Sequence, residues 1–179
     1  MRVAEAMQPV VHTCRASDPL ARAAELMWAH DCGFLPVVDA RRRVTGVITD
    51  RDVCMAVWTQ GRSPHEIEVA STMCRDVAFC RESDSLQETI TLLRLLQLRR
   101  LPVVDVAGYL VGVLSTTDIL RAHRRTPLLI KESDIVHMLE EIARPRFTGA
   151  QTREGGARHS AATQPQGSAR DSGGLPGPA

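Results

Sequence analysis

The sequence predicts an α+β fold: two tandem β-α-β-β-α units packed against each other, then a short C-terminal helix and a disordered tail. Three observations lead there. The chain repeats itself at a spacing of 66 residues, each copy carries the same order of apolar runs and helix-start signals, and residues 145–179 are nearly free of large aliphatic side chains.

The repeat is anchored by Leu-Pro-Val-Val-Asp, which occurs at Leu35 to Asp39 and again at Leu101 to Asp105. The register holds without a gap on both sides. Upstream, Val3, Ala4, Met7, Val11, Cys14, Ser17, Asp18 and Leu20 meet Val69, Ala70, Met73, Val77, Cys80, Ser83, Asp84 and Leu86; downstream, Gly46, Val47, Asp52 and Ala56 meet Gly112, Val113, Asp118 and Ala122. Copy one is placed at 1–62, copy two at 63–126, an amphipathic C-terminal helix at 127–144 and the tail at 145–179.

Each copy opens with an extended stretch, Val10 to Cys14 or Val77 to Cys80. Ser17-Asp18-Pro19 and Ser83-Asp84 then signal a capped helix start. The helix of copy two runs Leu86, Ile90, Leu93 and Gln97 along one face, widened by Leu92, Leu95 and Leu96, and is expected to be largely buried. Copy one repeats the pattern with Leu20, Ala24, Met27 and Trp28. The Leu-Pro-Val-Val-Asp run reads as a buried strand. A second strand follows at Val44 to Thr49 or Leu110 to Ser115, and a second helix opens near Asp50 or Thr116. One such unit leaves a face of its three-stranded sheet bare, which a second copy covers.

After copy two, Thr126-Pro127 and Ser133-Asp134 are helix-start signals, and Ile135, Met138 or Leu139, and Ile142 mark one apolar stripe. Residues 145–179 are rich in Gly, Ser, Ala, Pro and Gln, so burial cannot offset their ordering entropy and disorder is expected.

Composition narrows the function classes. A net charge of +1 supplies no field to gather nucleic acid, and 3% aromatic residues supply few stacking platforms. No apolar run resembles a signal peptide or a membrane span, which points to the cytoplasm and to no membrane partner. The five cysteines form no CxxC pair and read as small buried hydrophobes. His30-Asp31-Cys32, and Cys74 with Cys80, match no familiar metal spacing, so no metal is expected. No set of nucleophile, base and orienting group is visible, so the chain is not expected to be an enzyme.

The chemistry concentrates where the second strand meets the second helix: Gly46-Val-Ile-Thr-Asp-Arg-Asp52 and Gly112-Val-Leu-Ser-Thr-Thr-Asp118. Ser/Thr-x-x-Asp at a helix start is, on one reading, a capping box. On the other, the free amides and partial positive charge of the helix start suit a phosphate, joined by the hydroxyl of Thr49 or Ser115. The carboxylate of Asp52 or Asp118, one turn on, suits the paired hydroxyls of a ribose. Arg51 follows Thr49 in copy one, and Arg99-Arg100 precede the strand of copy two. Arg121 and Arg125 share a helix face with Asp118 and serve either a phosphate or a solvated basic helix end.

Leu-Pro-Val-Val-Asp followed by Gly, two apolar residues and Ser/Thr-x-x-Asp, twice in tandem over about residues 2–125, resembles the CBS (cystathionine β-synthase) domain family. The resemblance implies a pseudo-twofold pair with up to two clefts for adenosine-containing ligands. It implies that Ser/Thr contacts phosphate and Asp holds ribose. It places adenine among Val11, Thr13, Pro36 and Val37 in copy one and Val77, Phe79, Pro102 and Val103 in copy two. From the differences between the copies rather than from the resemblance, Arg51 is a further nucleotide-binding candidate, and Arg99, Arg100 and Arg121 are candidate phosphate contacts. The expected function is a non-catalytic regulatory sensor for AMP, ADP or ATP, homodimeric, with no required cofactor. The rival expectation is a ligand-free scaffold for dimerisation or partner binding.

Overall fold

The computed structural model describes residues 1–145. The tail expected to be disordered lies, from residue 146 on, outside them.

In copy one, α1 (Leu20–Ala29) leads to β1 (Phe34–Val38), which pairs antiparallel with β2 (Val44–Thr49), and α2 (Asp50–Gln60) follows directly. In copy two, β3 (Cys80–Arg81) lies parallel to β4 (Arg100–Val104), which pairs antiparallel with β5 (Leu110–Ser115); α3 (Leu86–Leu96) connects β3 to β4, and α4 (Thr116–Arg125) follows β5. The ladder registers are 66 residues apart at every step, Phe34 with Thr49 and Arg100 with Ser115 for example. The opening stretches pair less than expected. Val10 to Cys14 contributes only a parallel bridge from Cys14 to Val37, so copy one has a two-stranded sheet where three strands were expected.

The aspartate of each Leu-Pro-Val-Val-Asp run builds the turn after its strand. Asp39 Oδ1 accepts the Arg41 and Arg43 N–H groups, both at 2.8 Å, and Asp105 Oδ1 accepts those of Ala107 and Tyr109, both at 2.9 Å. The two turns meet: Leu110 N–H donates to Arg42 O at 3.0 Å, and the Arg43 guanidinium lies 5.5 Å from the Tyr109 ring centre.

The cores exchange their opening segments. Val3 and Ala6 lie in the core of copy two with Leu86, Ile90, Leu101, Leu114 and Ile119, whereas Ile67, Val69 and Met73 lie in the core of copy one with Leu20, Leu35 and Ile48. The hydrogen bonds repeat this in pairs. Val3 N–H donates to Asp84 O and Val69 N–H to Asp18 O, while Leu86 N–H donates to Met1 O and Leu20 N–H to Ile67 O. Gly46 and Gly112 make room for the crossing: a Cβ on them would stand 2.7 Å from Met73 Sδ and 2.6 Å from Met7 Sδ.

Three local readings are corrected. Ser17-Asp18 and Ser83-Asp84 do not cap α1 and α3. The N-cap residues are Pro19 and Ser85 without side-chain cap bonds, and Asp18 and Asp84 instead close turns on the N–H groups of Arg15 and Arg81. α1 buries Leu20, Ala23 and Met27 and turns Trp28 outward, 91% exposed; α3 does the same with Leu95, 70% exposed. Of the cysteines, Cys14 and Cys80 are buried, but Cys54 and Cys74 are exposed.

The C-terminal stripe forms α5 (Glu132–Ala143), which buries Ile135 and Met138 on α3. Gln87 Nε2 donates to Asp134 Oδ2 at 2.7 Å and Gln97 Nε2 to Glu141 O at 2.9 Å, fixing both ends of the helix.

Candidate functional site

Each second strand ends on the hydroxyl residue that starts the next helix. Thr49 and Ser115 are N-caps with extended backbone, and both complete a capping box. In copy one, Asp52 Oδ2 accepts Thr49 N–H at 2.9 Å and the Thr49 hydroxyl at 2.7 Å, while Asp52 N–H donates back to Oγ1 at 3.3 Å. In copy two, Asp118 Oδ2 accepts Ser115 N–H at 2.9 Å and the Ser115 hydroxyl, and Asp118 N–H donates back at 3.2 Å. Each hydroxyl proton is thus committed to its carboxylate, so donation to a phosphate requires the hydroxyl to turn away from the Asp.

Beyond the capping box the copies diverge. Asp118 Oδ1 accepts Gln8 Nε2 at 2.8 Å and Arg121 Nη1 at 3.4 Å, and the Asp118 side chain is only 4% exposed. Asp52 Oδ1 has no protein partner among the described residues. The helix starts differ in the opposite sense. Asp50 opens α2 with a carboxylate and bonds the Arg51 N–H at 2.7 Å, whereas α4 opens with two uncharged threonines. α2 therefore carries two carboxylates in its first turn, Asp50 and Asp52, where α4 carries Asp118 alone, and an anion meets more repulsion at α2.

A cavity of about 460 Å³ lies at the start of α4, bounded by Arg99, Arg100, residues 115–117 and, from α5, Leu139 and Ile142. A second, of about 670 Å³, contains Trp28, Cys32, Asp50 and Cys54 and again Arg99 and Arg100. The structure thus brings together Arg99, Arg100 and Ser115. Arg51 is exposed, and Arg121 turns to Asp118.

Of the implied adenine positions, Val37 and Val103 turn to the core. Strand alternation puts Leu35 and Val37, and Leu101 and Val103, on the core face, and all four are 0% exposed. Val37 and Val103 are core residues with no side-chain surface for a ligand. Pro36 and Pro102 lie on the opposite strand face, the one that Thr49 and Ser115 share. Val11, Thr13 and Val77 are half-buried, and Phe79 is 51% exposed.

Sequence reasoning missed Gln8, Asp50 and the α5 wall. For Gln8 a signal was present: in the gapless register it meets Cys74, a mismatch beside the matched pair Met7 and Met73. The buried thiols offer no nucleophile. Burial pushes the Cys14 and Cys80 thiols up to about 12, with nearby Asp18 and Asp84 adding to the rise. Among the described residues, no group of three His, Cys, Asp or Glu side chains could hold a metal ion, and no helix is long and apolar enough to cross a membrane.

A family model for the CBS domain matches residues 3–59 and 67–125, one match per repeat. The chain belongs to the CBS domain family. Its CBS pair is 32% identical over 117 residues to CBS domain-containing protein YhcV of Bacillus subtilis, covering 65% of this chain and 81% of YhcV. Hypoxic response protein 1 of Mycobacterium tuberculosis is 30% identical over 129 residues, covering 72% and 84%. Among solved structures, CBSX2 of Arabidopsis thaliana, crystallised in complex with AMP, is 28% identical, with a TM-score of 0.62 over 70% of this chain and 98% of that one.

Proposed function

We propose that this CBS pair is a non-catalytic sensor that binds AMP, ADP or ATP at its helix starts and passes binding on as a change in the packing of the copies or of a partner. The carrying observation is the helix start built twice, each placing a hydroxyl, a carboxylate and the first helical turn side by side. Phosphate and ribose need those groups in that order. Arg99 and Arg100 support the reading because the same pair lines both cavities. The AMP complex of the similar CBSX2 supports the ligand class.

Thermal denaturation with millimolar AMP, ATP, GMP and GTP tests it. A ligand at about 100 times its Kd stabilises by about 2.7 kcal/mol. At about 2–4 °C per kcal/mol for a chain of this size, the melting temperature rises by roughly 5–10 °C. Adenine nucleotides are expected to produce that rise; no rise, or an equal one with guanine nucleotides, refutes the proposal.

A second reading, a scaffold that dimerises without ligand, has its own support. Trp28, Met55 and Trp58 on α1 and α2 are 91%, 44% and 77% exposed, and their repeat counterparts are Arg94, Arg121 and Arg124. Copy one thus presents apolar groups where copy two presents charge, as a homodimer face would. Sedimentation of Trp28→Arg/Trp58→Arg decides: a monomer where the wild type is a dimer supports this face, and an unchanged mass removes it.

A further inference from the structure

The exchanged segments bring a different residue to each carboxylate. Gln8 is held beside copy two's motif by two backbone bonds to Val113, at 2.9 and 3.0 Å, and from there its amide reaches Asp118 Oδ1. Cys74 is held beside copy one's motif by the same two bonds to Val47, both at 2.9 Å. Its thiol, a weak donor, points instead to Asp76 O at 3.5 Å. The second donor on Asp118 Oδ1, Arg121, has Met55 as its repeat counterpart. Both donors that fill the carboxylate of copy two are therefore replaced in copy one by side chains that make no bond to Asp52.

We propose that Gln8 is an internal latch on Asp118, standing where a ribose hydroxyl would donate, so that copy one alone offers an open ribose acceptor. The inference rests on the nucleotide reading above and adds an order to it. A nucleotide binds at Asp52 first; in copy two it must displace the Gln8 amide from a buried carboxylate. Hydrogen bonds to charged groups are strong enough for that displacement to cost about tenfold or more in affinity. Gln8 is thus a specificity-determining residue that touches no ligand in copy one and weakens its binding in copy two.

Calorimetric titration of AMP into the full chain tests the latch with exchanges between repeat counterparts. The wild type is expected to show one tight site, and Asp52→Ala to lose it. Gln8→Cys is expected to open a second site, and in the Asp52→Ala background to restore one. Cys74→Gln is expected to weaken the copy one site by about tenfold or more. Gln8→Ala serves beside Gln8→Cys, and an unchanged melting transition shows that either variant is folded. Two equal sites in the wild type, or a folded Gln8→Cys or Gln8→Ala that gains none, overturn the latch and leave the nucleotide reading standing. No AMP binding by the wild type or by any variant overturns both.

Discussion

Replacing Gly46 with alanine puts a methyl carbon 2.7 Å from Met73 Sδ and 3.1 Å from the Cys74 backbone carbonyl. The first contact involves a side chain that is 7% exposed and packed in the copy one core, and the second involves the crossing segment itself. Met73 can shift its sulfur only by disturbing packed neighbours, and the carbonyl is tied to the Val47 N–H at 2.9 Å. Overpacking of this kind costs about 1–3 kcal/mol. At roughly 2–4 °C per kcal/mol, Gly46→Ala lowers the melting temperature by about 2–12 °C. Circular dichroism melting is the assay, with Gly112→Ala as internal replicate, since its Cβ meets Met7 Sδ at 2.6 Å and Gln8 O at 3.0 Å. The Met73→Ala background should recover part of the loss at position 46 and none at position 112. Wild-type melting in both glycine variants would show that the segments do not cross where they are placed, and the exchange would fall with it.

The remaining predictions concern the cores and the helix starts. Residues 1–62 expressed alone should remain unfolded by circular dichroism, because the copy one core lacks Ile67, Val69 and Met73 without the second repeat. Met138→Ala, at a fully buried position of α5, should cost about 2–5 kcal/mol in urea denaturation. Burial holds the Cys14 and Cys80 thiols protonated in the folded state up to about 12, whereas unfolded thiols lose their protons near the ordinary thiol value of 9.0. Between those values the unfolded state binds fewer protons, so stability falls as pH rises through that window, by up to about 1.4 kcal/mol per pH unit for each thiol. Cys14→Ala/Cys80→Ala should flatten that slope in urea titrations. Asp50→Thr, which gives copy one the helix start of copy two, should tighten AMP binding more than adenosine binding, and equal changes for both would argue against charge at that start.

Much of the fold was legible because a gapless repeat constrains two copies at once. The strand limits Val44–Thr49 and Leu110–Ser115 and the helix starts at Asp50 and Thr116 follow from apolar runs ending on Ser/Thr-x-x-Asp. The exchange of segments was not legible. Val3 and Val69 occupy the same repeat position, and periodicity reports that a residue is buried without saying in which copy. Asp18 and Asp84 were misread because an aspartate after a serine suits a cap and a turn equally; the chain used the turn. Trp28 and Leu95 violate the rule that apolar residues on a helix stripe are buried, which composition alone does not reveal. At the site, the hydroxyl and carboxylate pairs were found because both lie within one motif. Gln8 was missed because it reaches Asp118 from 110 residues away.

Calorimetry of AMP against the wild type and Asp52→Ala/Asp118→Ala measures ribose recognition by the motif carboxylates directly. The double variant is expected to bind AMP about tenfold or more weakly than the wild type, with its melting transition showing that it is folded. An unchanged Kd in the folded double variant would contradict the account and leave Ser/Thr-x-x-Asp as helix caps alone.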